Sequence, residues 1–250
     1  MKRMEVVGDR SVTTVKGAVD VSDPAWEGGV SDGDQYLILT DSNGAGVTED
    51  TVKRHMPKEK QQKCRIRVIT TYTLFEAFDK IRDGKIKVEG ARVILDVTTN
   101  DIRGTRGQAR TTPQELIHRV GKVVAVMKEK GARGVAVCEV KPMNLMDVTS
   151  YSEPLHHSCR SKKIGWCQTQ LGVGNLGSDG YHILPASLRV LDATYACAIM
   201  GKPVPHPTPT HQKWRHQLVE QEWPRAGDRL ELNVWKRREE ERRRMGTEIR

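Results

Sequence analysis

Tyr36-Leu37-Ile38-Leu39-Thr40-Asp41-Ser42-Asn43-Gly44-Ala45-Gly46 is the stretch from which the fold can be read. An apolar run stops at an acid and a serine, then breaks into Asn-Gly and Ala-Gly. An apolar run that ends at turn residues reads as a buried strand. Ser42 then falls on the loop at the C-terminal end of that strand, where open α/β sheets place their chemistry. Asp-Ser-Asn-Gly is also ordinary turn vocabulary, so the rest of the chain has to decide what Ser42 is for.

Moving outward, strands and helices alternate. Thr48, followed by Glu49 and Asp50, suits a helix start, because a hydroxyl and two acids favour the positive helix end. Pro57 stops that helix near His55, and 57–63 reads as a charged connector. A second strand spans 66–70. Thr73-Leu74-Phe75-Glu76 is a capping box opening a helix with Phe75, Phe78 and Ile81 on one face. A third strand, 92–98, ends in Thr99-Asn100-Asp101, and a polar loop with Arg103, Arg106 and Arg110 follows. Thr112-Pro113-Gln114-Glu115 joins a capping box to a proline at the first helical position. Its helix presents Leu116, Val120, Val123, Val124 and Met127 on one face and stops at Gly131. The fourth strand is 134–140. Residues 141–165 read as irregular, with a short helix near 152–162. A fifth strand is expected over 166–171. A glycine-rich loop then leads to Ser178-Asp179-Gly180-Tyr181-His182, and Pro185 opens the last helix, which ends at Gly201.

This alternation predicts a flavodoxin-like three-layer α/β/α domain with a parallel sheet of about five strands. In that strand order the first and third strands are neighbours, and the crevice lies at their C-terminal ends. Ser42 and Asn100 then open into one crevice from positions far apart in the chain.

The chain is long enough for one such domain with tails. The expected organisation is an irregular lead-in over 1–34, with a loose alternation from Val12 to Val21 that suits an edge strand, the α/β domain over 35–201, and a proline-rich linker with a basic tail over 202–250. Mean hydropathy of −0.58 fits polar tails diluting a globular centre. Five scattered cysteines read as reduced thiols. No apolar run follows Met1-Lys2-Arg3 and no stretch suits a membrane span, so an intracellular location is expected. A formal net charge of +9 favours anionic partners without saying anything of fold.

Three blocks taken together, Asp41-Ser42, Asn100-Asp101 and Asp179-x-x-His182, resemble the SGNH/GDSL hydrolase superfamily over residues 36–201. That family carries a Gly-Asp-Ser nucleophile block after strand one, a Gly-x-Asn-Asp block after strand three and an Asp-x-x-His block before the last helix. The resemblance implies a serine esterase or acylhydrolase with Ser42 as nucleophile, His182 as general base, Asp179 as its orienter and Asn100 as an oxyanion donor. It implies a small acyl-ester substrate and no cofactor or metal. The chemistry is coherent, since a serine hydroxyl is a weak nucleophile until a positioned base takes its proton.

This sequence departs from the family at three places. Thr40 and Thr98 replace the glycines of the first and third blocks, which predicts a crowded oxyanion hole. The family's glycine after strand two has no clear match in Ile69-Thr70-Thr71-Tyr72-Thr73.

Other patterns lead nowhere. His156, His157, Cys159 and Cys167 do not have a common zinc spacing. Gly172-Val173-Gly174-Asn175-Leu176-Gly177 matches a dinucleotide fingerprint literally, but no strand feeds it into a helix. A rival reading keeps the SGNH-like fold with weak or absent hydrolysis and makes the chain a nucleic-acid-binding module, with Trp214, Trp223 and the basic tail as the binding surface. Some mobile-element proteins resemble that arrangement.

Overall fold

The apolar runs become the strands of one sheet. The computed structural model describes residues 29–103, 110–144 and 146–202. The expectations for the lead-in before residue 29, including its edge strand, and for the linker and tail from residue 203 lie outside the described residues.

Five parallel strands, β1 (Asp34–Thr40), β2 (Cys64–Thr70), β3 (Arg92–Asp96), β4 (Gly134–Cys138) and β5 (Gly165–Cys167), lie in the order β2-β1-β3-β4-β5. Because side chains alternate across a strand, β1 serves two cores at once. Leu37 and Leu39 pack with α3 (Leu74–Arg82), α5 (Pro113–Glu129) and α6 (Thr149–Ser161). Tyr36 and Ile38 pack on the other face with α1 (Glu49–Lys53) and α7 (Leu188–Ile199). This is the expected three-layer α/β/α arrangement. Both long capped helices start where the sequence puts them. Thr73 Oγ1 accepts the Glu76 N–H, and Thr112 and Glu115 exchange side-chain and backbone bonds behind Pro113.

Several boundaries differ from the sequence reading. The connector 57–63 contains one helical turn, α2 (Lys58–Gln61), and Asn100, expected in the run that ends the third strand, lies in another, α4 (Thr99–Ile102). The third and fourth strands stop two residues early, at Asp96 and Cys138. Instead of 166–171, the fifth strand is only Gly165–Cys167. Past Cys167 a side chain takes over from the ladder, because the Thr169 N–H donates to Glu139 Oε2. The helix near 152–162 begins earlier, at Thr149. Pro185 opens a 3-10 turn that leads into α7.

The order 2-1-3-4-5 makes β1 and β3 neighbours, with Thr40 opposite Asp96. The chain leaves β1 toward β2 on one side and returns to β3 on the other, which opens a crevice beyond their C-terminal ends. There the Asp41 N–H donates to the Asp96 carbonyl at 3.2 Å, so the turn after β1 starts against the end of β3.

Candidate active site

The turn after β1 is held from both ends. Asp41 Oδ1 accepts the Asn43 N–H at 3.0 Å and so caps a 3-10 turn, Ser42–Gly44. Asp41 and Asn43 are buried and Ser42 between them is partly exposed. Thr40 does not crowd this site. It has no solvent exposure, and a Cβ placed on Gly44 would come within 2.0 Å of Thr40 Oγ1. The bare Gly44 thus makes room for the threonine that stands where the resembled family has glycine. Thr98 is also fully buried. The expectation that these two threonines narrow the site is therefore corrected, since neither side chain reaches solvent.

Beneath the turn lies a buried charge cluster. Lys141, just after β4 and fully buried, places Nζ 3.1 Å from Asp41 Oδ1 and 2.9 Å from Asp96 Oδ1. The Tyr195 hydroxyl, from α7, donates to Asp96 Oδ2. Burial is the main force on Asp96 and, with the Asp41 charge, pushes its carboxyl up to about 6 against the pull of Lys141 and Tyr195. Burial works against the Lys141 ammonium, but the two carboxylates outweigh it and raise its affinity for the proton. The ammonium is thus fixed as a cation under the turn that carries Ser42.

Asp179 and His182 meet as their spacing suggests. His182 Nδ1 lies 2.5 Å from Asp179 Oδ2, and Asp179 Oδ1 accepts the N–H groups of Tyr181 and His182. Gly180 makes the turn possible, with a φ of +66° and no room for a Cβ, which would come within 2.5 Å of the Asn144 side chain. Partial burial works to raise the Asp179 carboxyl, but the bonds from the His182 ring and the two N–H groups prevail and hold it below the usual carboxylate range. This block is tied to the Ser42 turn by one further bond. Asn43 Oδ1 accepts the Ile183 N–H at 3.0 Å. The residue after Ser42 is therefore bonded to the residue after His182.

Asn100 sits at the third side of the crevice. Its Nδ2 donates to the Tyr72 carbonyl at 2.8 Å, and its Oδ1 accepts the Tyr181 hydroxyl. Tyr181 is buried; its ring lies edge-on to His182 at 4.8 Å and carries the Arg103 guanidinium at 3.9 Å on its face. Burial, with Asp41 nearby, pushes the Tyr181 phenol up to about 12, so it stays a hydrogen-bond donor at neutral pH. Neighbouring Asp101 points elsewhere, accepting the Leu74 N–H and pairing with Arg119.

The segment after β2 spends two of its backbone donors internally. The Thr71 N–H goes to the Thr40 carbonyl at 2.8 Å and the Tyr72 N–H to Glu76 Oε2 at 2.6 Å. This gives a physical form to the missing second-block glycine.

Sequence reasoning missed Lys141, Asp96, Asn43, Tyr181 and Arg103 as parts of this site. An aspartate ending an apolar strand is a weak signal for Asp96, and nothing in the irregular run after Val140 marks Lys141 as buried. Of the rejected metal residues, His156 stacks on Trp166 and both cysteines are buried without a disulfide.

No family model and no curated protein matches the chain. Solved structures do. The acetyl xylan esterase AlAXEase superposes with a TM-score of 0.55 at 13% identity, covering 66% of this chain and 99% of its own. The fold is SGNH-like. The acetylxylan esterase Axe2 from Geobacillus stearothermophilus gives a TM-score of 0.52 at 12% identity, over 68% of this chain and 95% of its own. The psychrotrophic esterase EstA from Pseudoalteromonas sp., in a structure inhibited by monoethylphosphonate, gives 0.51 at 16% identity, over 73% and 99%. At such identities the likeness speaks for the fold alone. In this SGNH-like fold, the Ser42 turn, Asn100 and the Asp179–His182 pair all gather at the C-terminal end of β1 and β3.

Proposed function

We propose that the chain is a serine esterase or acylhydrolase of the SGNH type. The observation that carries this reading is the Asn43–Ile183 bond, which fastens the Ser42 turn to the Asp179–His182 pair. In this reading Asp179 accepts the His182 Nδ1–H, which leaves the Nε2 lone pair to take the Ser42 Oγ proton as Oγ attacks the ester carbonyl. Asp179 then stabilises the imidazolium without taking its proton. Collapse of the tetrahedral intermediate expels the alcohol with the proton His182 holds, and water releases the acyl group by the reverse sequence. The oxyanion faces the Ser42 N–H and the second hydrogen of Asn100 Nδ2, since the first is given to Tyr72. A lost oxyanion donor costs about 3–4 kcal/mol in the transition state. With the Thr71 and Tyr72 N–H groups after β2 committed elsewhere, turnover is expected to be slow rather than absent.

The test is direct. A phosphonate probe should label the wild-type protein at Ser42, read by peptide mass spectrometry, and Ser42→Ala should abolish both labelling and hydrolysis of 4-nitrophenyl acetate. Hydrolysis by the Ala variant at the wild-type rate would overturn the assignment.

A further inference from the structure

We infer that Arg103 makes this site selective for esters that carry an anionic group of their own close to the scissile bond. The inference rests on the esterase reading above and goes beyond it to the substrate class.

Arg103 follows α4 and is exposed, yet it does not lie loose on the surface. Its guanidinium stacks 3.9 Å above the Tyr181 ring. That ring holds Asn100 through its hydroxyl and touches His182 edge-on. One flat side chain therefore places a fixed positive charge beside both the proposed oxyanion donor and the proposed base. Arg103 also hydrogen-bonds the Tyr181 side chain, and because a guanidinium carries five N–H donors in a flat fork, donors remain that fit a carboxylate or phosphate.

The charge is also left over. Among the described residues no carboxylate forms an ion pair with Arg103, whereas Arg92 and Arg133 share Asp34 and Arg119 takes Asp101. Asp101, two residues before Arg103, is committed to Arg119 and the Leu74 N–H, and Asp179, two residues before Tyr181, is committed to His182. Arg110 adds to the positive field around Asp101. Tyr72, whose carbonyl holds Asn100, leaves its own ring largely exposed at 61%. The crevice thus offers an aromatic surface and a cation with no carboxylate partner among the described residues, the combination that suits an apolar body ending in an anion.

Two matched pairs of esters test this with the full-length protein. In one, the charge is on the acyl side, mono-4-nitrophenyl glutarate against 4-nitrophenyl butyrate. In the other it is on the alcohol side, 4-acetoxybenzoate against phenyl acetate. The measured quantity is the ratio of kcat/KM, charged over neutral, in wild type and in Arg103→Met and Arg103→Lys, so that intrinsic reactivity cancels between proteins. In one arm the ratio should fall about tenfold in Arg103→Met and less in Arg103→Lys, and the wild-type ratio should shrink with added salt. The arm that responds tells which side carries the anion. Ratios that stay the same in both arms on Arg103→Met overturn the inference and leave the esterase reading standing. If wild type hydrolyses none of the four esters, the esterase reading fails instead. The inference is then decided by titration calorimetry with 4-acetoxybenzoate: binding weakened about tenfold by Arg103→Met supports the anion site, and no binding or equal binding overturns it.

Discussion

Asp96 has no access to solvent and faces Lys141, Asp41, Tyr195 and the Cys138 thiol. Two carboxylates share one ammonium there, so a proton on one of them relieves a surplus negative charge. The folded chain binds that proton with a pKa of about 6, against an ordinary value of 3.8. Between those values the folded state holds more protons than the unfolded one, so the contribution of Asp96 is most favourable below about pH 4 and is lost as pH rises through 6. Asp96→Asn removes this titration. Urea unfolding of both proteins from pH 4 to 7 should show wild type losing on the order of 2 kcal/mol relative to the variant over that interval. A constant difference would mean that Asp96 does not titrate in this window. The cluster was invisible in the sequence because a lysine in a polar, irregular stretch is almost always solvated. Only the fold brings Lys141 beneath Asp41, one hundred residues away in the chain.

The elements were legible to different degrees, and length explains the difference. β1, α3 and α5 carry either an uninterrupted apolar run or a capping box with a helical stripe, and each stands where the sequence puts it. α2 and α4 are four residues each, too short to show a period. The order of the three site blocks was readable because each follows an identifiable strand or precedes an identifiable helix. Whether backbone donors remain free was not, since that depends on Thr71 and Tyr72 finding Thr40 and Glu76. At the end of β1 the sequence offered two separate oddities, Thr40 and the Asn-Gly that follows, and the structure makes them one. Gly44→Ala places a methyl group inside the Thr40 side chain. It should cost about 1–3 kcal/mol, measured by chemical denaturation. Thr40→Gly in the same chain should return most of the loss contributed by the clash, so the two changes couple rather than add. Strict additivity would show that the turn relaxes away from β1 instead.

At the scale of the whole molecule, the described part closes its own cores. Both faces of the sheet are covered by helices that end at or before Ile199. Ending the chain after Lys202 should therefore leave the melting temperature and ester hydrolysis close to those of the full chain. The charge can be divided the same way. Residues 203–250 hold eleven Lys and Arg against eight Asp and Glu, while the whole chain holds 41 against 32. Most of the positive excess therefore precedes residue 203, and within the tail Glu239 and Glu240 stand four residues before Arg243 and Arg244, the spacing at which helical pairs offset each other. If the basic balance attracts polyanions, the attraction belongs mainly to the α/β domain. Fluorescence anisotropy of a labelled single-stranded oligonucleotide at two salt concentrations tests this on both chains. The expected result is weak binding at low salt that falls steeply as salt rises, because neutralised phosphates release counterions, and that survives removal of 203–250. Binding lost with the tail would return the polyanion site to Lys236–Arg238 and Arg242–Arg244, and no binding by either chain would remove nucleic acid from the list of partners.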